Sequence, residues 1–165
     1  MVRGSHAILT CWKQVPPSLV RAGTELHVIS RYGIGLDNIA VDEATRHGII
    51  VTNVPDYCLD EVSDHAMALL LACVRKVGLF YDRVRSGDWE IAAGKPICRL
   101  RGKTLGIIGL GKIARILAPK SLGFGLHLLA FDPYVSADAT AACGCLKADL
   151  TRCYESQTWS ASMSR

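Results

Sequence analysis

The sequence has no paired Cys-x-x-Cys spacing, no apolar run long enough to cross a bilayer, and no block of basic residues. Each absence removes a class of function. Seven scattered cysteines, Cys11, Cys58, Cys73, Cys98, Cys143, Cys145 and Cys153, lack the spacing of a zinc or redox motif, so none is assigned to a metal. Their odd number, the lack of a secretory leader and the position of Cys73 in an apolar helical run suit reduced thiols in a cytosol. The stretch 66–74 falls far short of the ~20 apolar residues a membrane span needs. The formal charge of +4 comes from dispersed Lys and Arg, which gives a nucleic-acid role little support. Met1 to Ser5 is set apart from the fold as an alternative start or cloning remnant. What remains is 165 residues, half of them hydrophobic, enough for one ordinary domain or two incomplete ones.

Short apolar runs alternate with helical stretches from residue 7 to 75, the pattern of βα units on a parallel sheet. Ala7 to Leu9, Leu26 to Ile29 and Ile49 to Thr52 read as strands. Pro17 to Ala22 and Asp42 to His47 read as short helices ended by Gly23 and Gly48. Asp60 to about Arg85 carries apolar residues at helical spacing and reads as one long helix. Gly87-Asp-Trp89 and Gly94-Lys-Pro96 then break regular structure. The expected organisation is a partial, flavodoxin-like domain over 1–77, a crossover over 78–99, an incomplete dinucleotide-binding domain over 100–150, and an aberrant tail over 151–165. The fold class is α/β, two parallel-sheet pieces in succession.

The strongest motif is Thr104-Leu-Gly-Ile-Ile-Gly109-Leu-Gly111-Lys-Ile-Ala114. Leu105 to Ile108 supplies a buried strand, Gly109 a tight turn, and Gly111 a position without a Cβ where a pyrophosphate can approach the backbone. Ala114 stands for the third glycine. A helix from Lys112 to about Leu122 offers its N-terminal amides to the phosphates, with a kink expected at Pro119. Asp132 follows Gly111 by 21 residues, at the close of a second strand, Leu126 to Phe131. A carboxylate there accepts from an adenosine ribose and disfavours a 2′-phosphate, which points to NAD. Arg31 at a strand end, followed by Gly33-Ile34-Gly35, forms a short loop suited to an anion.

Together these residues resemble a known family. Arg31-Tyr-Gly33-Ile-Gly35-Leu-Asp37-Asn38, His47-Gly through Asn53-Val-Pro55, Glu61-Val-Ser-Asp-His-Ala, Gly87-Asp-Trp89, the glycine turn and Phe131-Asp132-Pro133 are similar, in that order, to the D-isomer-specific 2-hydroxyacid dehydrogenases. The phosphoglycerate-oxidising branch is the nearest in motif. The resemblance implies a two-domain NAD enzyme acting on a small 2-hydroxy or 2-keto acid, D-3-phosphoglycerate among the candidates, and a homodimer in its intact members. It assigns Arg31, Gly33, Ile34 and Gly35 to the substrate anion, and Ile34, Gly109, Gly111, Lys112, Ile113 and Asp132 to the cofactor. Cys58, where relatives carry a small polar residue near the phosphates, and His65, which reads as structural, are left out of the site. A noncatalytic, NAD-responsive partner-binding protein is the alternative, as is, more remotely, an S-adenosylmethionine methyltransferase.

The expected catalytic set is empty. The family's histidine–glutamate pair and second arginine follow the second nucleotide strand at a distance, and none has a counterpart here. From Thr151 onward the pattern changes. Back-translated with one G restored in front, Thr151 to Arg165 reads DEVLRESDVVSVHVP, a helix and apolar strand of the kind the family has there, and Trp159 and Met163, each with a single codon, both fit. The expectation is therefore a one-base shift that leaves two strands and one helix in the nucleotide domain, an uncovered β edge on the first of them, and no turnover.

Overall fold

The computed structural model describes residues 2–155 and 159–162. The chain forms two compact units, 1–57 and 58–165.

In the first unit, three strands, β1 (Ala7–Thr10), β2 (Val28–Arg31) and β3 (Ile50–Thr52), lie parallel in that order. Parallel neighbours need crossovers, and α1 (Pro17–Ala22) and α2 (Val41–Arg46) provide them. Proline opens α1 at no cost because the first helical N–H has no partner in any case. Val20, Ile29, Ile39, Ala44 and Ile49 close the core between these helices and one sheet face. β2 begins two residues later than its apolar pattern predicts. The Leu26 side chain is buried, but its N–H turns back to Gly23 O at 3.1 Å, so the ladder starts beyond it and carries Arg31 to the strand's end. Asn38 donates to Cys11 O (3.2 Å) and Lys13 O (2.8 Å), fixing the loop after β1 against the segment before α2.

The second unit opens with two helices, where the apolar spacing predicts one. α3 (Leu59–Val74) and α4 (Val77–Arg85) are separated at Arg75 and Lys76, the latter left-handed at φ 57°. A non-glycine residue there ends the hydrogen-bond ladder. α3 packs on α5 (Lys112–Gly123) through Met67, Ser121 and Lys120, and Leu70 joins the core. That packing puts the division between units at Tyr57, ahead of the helix, where the sequence placed it after residue 77. β4 (Thr104–Ile108), β5 (His127–Phe131), β6 (Leu146–Lys147) and β7 (Trp159–Ser162) form a parallel sheet in the order β6-β5-β4-β7, with α6 (Ala137–Ala142) and α7 (Leu150–Glu155) in the connections. α5 continues through Pro119, an exposed residue, so the carbonyl of Arg115 that loses its donor faces water.

The tail corrects the expectation of a two-stranded sheet with an open β4 edge. β7 pairs with β4, Leu105 opposite Trp159 and Ile108 opposite Ser162. A ladder is made by backbone groups, so a segment with weak side-chain patterning still takes the vacant side of a central strand. Residues 156–158 and 163–165 of the expected tail lie outside the described residues.

Candidate functional site

The glycine turn is braced by the end of β5. Gly109 N–H donates to Phe131 O (2.8 Å) and Leu110 N–H to Asp132 Oδ2 (2.8 Å), while Asp132 Oδ1 accepts from Tyr134 N–H (2.9 Å). These amides, Tyr134's first and Leu110's next, hold the Asp132 carboxyl below its ordinary value; burial opposes them, and the Val135 amide and the charge of Lys147 add to the lowering. Asp132 is thus an anion at neutral pH. Each of its oxygens keeps a second lone pair for a ribose hydroxyl.

The two glycines of the turn answer different demands. Gly109 has φ 86°, a conformation that side chains resist. Gly111, the N-cap of α5, has φ −77°, and a Cβ built on it meets nothing within 4 Å. Neither backbone conformation nor internal packing requires glycine at 111. What a side chain would obstruct is approach from outside, toward a first helical turn that no side chain caps. That is the fit expected for a pyrophosphate. Lys112 and Ile113 form this turn, and Ala114, 1% exposed, closes the helix onto β4.

Beside Asp132 an open depression of about 420 Å³ is lined by Phe131, Pro133, Lys147, Ala148, Asp149 and Arg152. Lys147 and Arg152 are additions that the spacing after Asp132 does not reveal. Lys147 reaches the site because β6 pairs with β5, Ala130 opposite Lys147, and ligands of such sheets gather at the carboxyl ends of the strands. Burial pushes the nearby Cys145 thiol up to about 11, which makes it inert.

In the first unit, Arg31 ends β2 beneath the loop Gly33-Ile34-Gly35. Its Nη1 donates to Gly35 O; the residue is 8% exposed, and its Nε is buried without a hydrogen-bond partner. A Cβ on Gly33 would lie 3.0 Å from Arg31 Nε, and one on Gly35 would lie 2.9 Å from Asp37 Oδ2 and 3.4 Å from Arg31 Nη1. Both glycines make room for the guanidinium. Asn53 Nδ2 donates to Ile34 O (2.7 Å) and Val54 N–H to Gly33 O (3.1 Å), so the loop's carbonyls are tied to the segment that follows β3. The structure therefore gathers Arg31, Gly33, Ile34 and Gly35 in one unit, and Gly109, Gly111, Lys112, Ile113 and Asp132 in the other. The side-chain roles of Asn53 and Trp12, whose ring lies 5.5 Å from Arg31 Cζ, have no signature in spacing.

Comparison with known proteins gives the same reading. The family model for the D-isomer specific 2-hydroxyacid dehydrogenase NAD binding domain matches residues 67–158. The chain is 35% identical to D-3-phosphoglycerate dehydrogenase of Mycobacterium leprae over 130 residues, 79% of this chain and 24% of that protein. It is 42% identical to hydroxypyruvate reductase of Thermotoga maritima over 120 residues, 73% of this chain and 39% of that one. The apo-structure of D-lactate dehydrogenase from Escherichia coli superposes with a TM-score of 0.83 at 27% identity, covering 99% of this chain and 52% of its own. D-lactate dehydrogenase from Aquifex aeolicus, complexed with NAD and lactic acid, shares the fold at a TM-score of 0.89, 24% identity, 99% coverage of this chain and 49% of its own. The chain thus spans a quarter to two fifths of these relatives' sequences and about half of the solved chains. With its glycine turn, the Asp132 carboxylate at the end of β5 and the family match over the greater part of its length, the chain belongs to the D-isomer specific 2-hydroxyacid dehydrogenases, whose cofactor is NAD.

Proposed function

We propose that this chain carries the nucleotide-binding and substrate-anion elements of an NAD-dependent oxidoreductase acting on the CH–OH group of a small 2-hydroxy acid, with D-3-phosphoglycerate and hydroxypyruvate the first substrates to test. The observation that carries the reading is Gly111, open on its outer side beside an ionised Asp132. Gly109, Gly111, Lys112, Ile113 and Asp132 hold the pyrophosphate and ribose. The family resemblance assigns Ile34 to the cofactor as well, and Arg31 with the Gly33–Gly35 amides takes the substrate carboxylate. Bound NAD supplies the hydride acceptor. Exposed apolar side chains on α3 and α4, among them Leu69, Val77, Tyr81 and Val84, support a homodimer.

Proton transfer is a separate matter. In a parallel α/β sheet the ligand lies at the carboxyl ends of the strands. His6 and His27 precede β1 and β2, His47 precedes β3, and His127 opens β5, all at the opposite edge, while His65 is on α3. The carboxylate partners of His6 (Glu25, 3.4 Å) and His47 (Glu43, 3.6 Å) share that wrong edge. These positions support the reading that no histidine of this chain takes the hydroxyl proton. The purified 165-residue chain therefore binds NAD without turning over. Calorimetry with NAD and NADH absorbance with hydroxypyruvate test both halves: absent binding overturns the cofactor reading, and saturable turnover overturns the second.

A further inference from the structure

We infer that Trp12 is a positioning residue for the substrate anion, holding the guanidinium of Arg31 beneath the Gly33–Gly35 loop; the inference rests on the function proposed for that loop. Arg31 is 8% exposed, and among the described residues its Nε is buried with no partner while Nη1 donates to Gly35 O. A guanidinium has five N–H donors at its edge, and a buried one that spends few of them lacks the hydrogen bonds that offset its loss of water. The Trp12 ring, 5.5 Å from Arg31 Cζ, supplies part of that compensation through its π face. An aromatic face competes for none of the edge donors. It stabilises the charge and leaves the donors free for an oxyanion.

The placement of Trp12 is also built. It stands in the loop after β1, where Asn38 clamps the carbonyls on either side, Cys11 O and Lys13 O, and Val15 bridges to Ile39. The indole is nevertheless 82% exposed, so burial does not account for a tryptophan at this position. Glycines 33 and 35 leave space against the same guanidinium that a Cβ would close. The guanidinium is therefore met both by an aromatic ring and by a glycine loop.

The test uses the full chain with NAD present and oxamate, an unreactive 2-keto acid analogue, as probe. Trp12→Ala is expected to weaken oxamate binding about tenfold, with Trp12→Phe within about threefold of the parent, since any aromatic face serves. Calorimetric NAD affinity stays the same in both. In a Trp89→Phe/Trp159→Phe background, where Trp12 is the sole tryptophan, emission changes saturably with oxamate at the calorimetric Kd and not with acetamide. Unchanged oxamate affinity in Trp12→Ala, or a Trp12→Phe protein as weak as Trp12→Ala, overturns the inference alone. A parent protein that binds NAD but no oxamate overturns the substrate role of the loop, and the inference with it.

Discussion

Gly111 separates what the fold needs from what a ligand needs. Its backbone conformation is ordinary and its Cβ direction is empty, so Gly111→Ser, which places a good N-cap residue at the start of α5, should leave the melting temperature unchanged or slightly higher. A side chain where the pyrophosphate approaches should weaken NAD at least about tenfold, a loss of about 1.4 kcal/mol measurable by calorimetry. Equal losses of stability and affinity would assign the glycine to folding. Asp132 makes the complementary prediction through pH. Its carboxyl is lowered in the folded state, so its contribution to stability is complete above the ordinary value of 3.8 and is lost as pH falls through the lower folded value. Acid unfolding followed by circular dichroism should show a step below pH 3.8 that Asp132→Asn removes. Both residues were legible in the sequence, because the turn at Gly109, which needs φ > 0, sets the position of Gly111, and an acid closing the next strand follows at a fixed spacing. The Leu110 amide on Asp132 and the indole on Arg31 were not, since each joins loops whose meeting depends on the tertiary path.

The helices and strands divide along similar lines. α1 and the beginning of α5 follow directly from Pro17, Gly23 and Gly111, punctuation that acts locally. The break at Lys76 escapes detection because nothing in Val74-Arg-Lys-Val77 disfavours a helix, and a left-handed lysine has no local sequence signal. β7 escapes for the opposite reason, since its partner β4 and not its own pattern specifies it. The α3–α5 contact offers a test at this level. Lys120 Nζ donates to Ser63 Oγ and Asp64 Oδ1, both at 2.6 Å, and lies 3.5 Å from Asp60 Oδ1. Asp64, as hydrogen-bond acceptor, leads in raising the ammonium above its ordinary 10.5. A raised cation contributes fully below that value and loses its contribution as pH rises through the folded one. Lys120→Met should lower the urea midpoint of the second unit at pH 7, with the difference from the parent shrinking above pH 10.5 and in high salt. A difference indifferent to both would place the effect in packing of the lysine stem.

Each unit has its own apolar core, one built on Ile29, Val20 and Ala44, the other on Leu105, Ile107, Leu110 and Ala118. The proposed ligands divide between them: the nucleotide on residues of the second, the carboxylate on residues of the first. Binding stabilises only the state that binds, by RT ln(1 + [L]/Kd), which at a hundredfold excess over Kd is about 2.7 kcal/mol. If the cores open separately, NAD should slow hydrogen exchange of the β4 and β5 amides, Thr104–Ile108 and His127–Phe131, by about a hundredfold at that excess, and leave the β2 amides, Val28–Arg31, nearly unchanged. Oxamate added alone should do the reverse. Mass spectrometry of peptides from the two sheets distinguishes this from a single cooperative structure, in which NAD would protect β2 as strongly as β4. In that case the carboxylate loop would be organised by the cofactor, and oxamate affinity would rise with NAD by the same factor that NAD affinity rises with oxamate, as reciprocity between two sites requires.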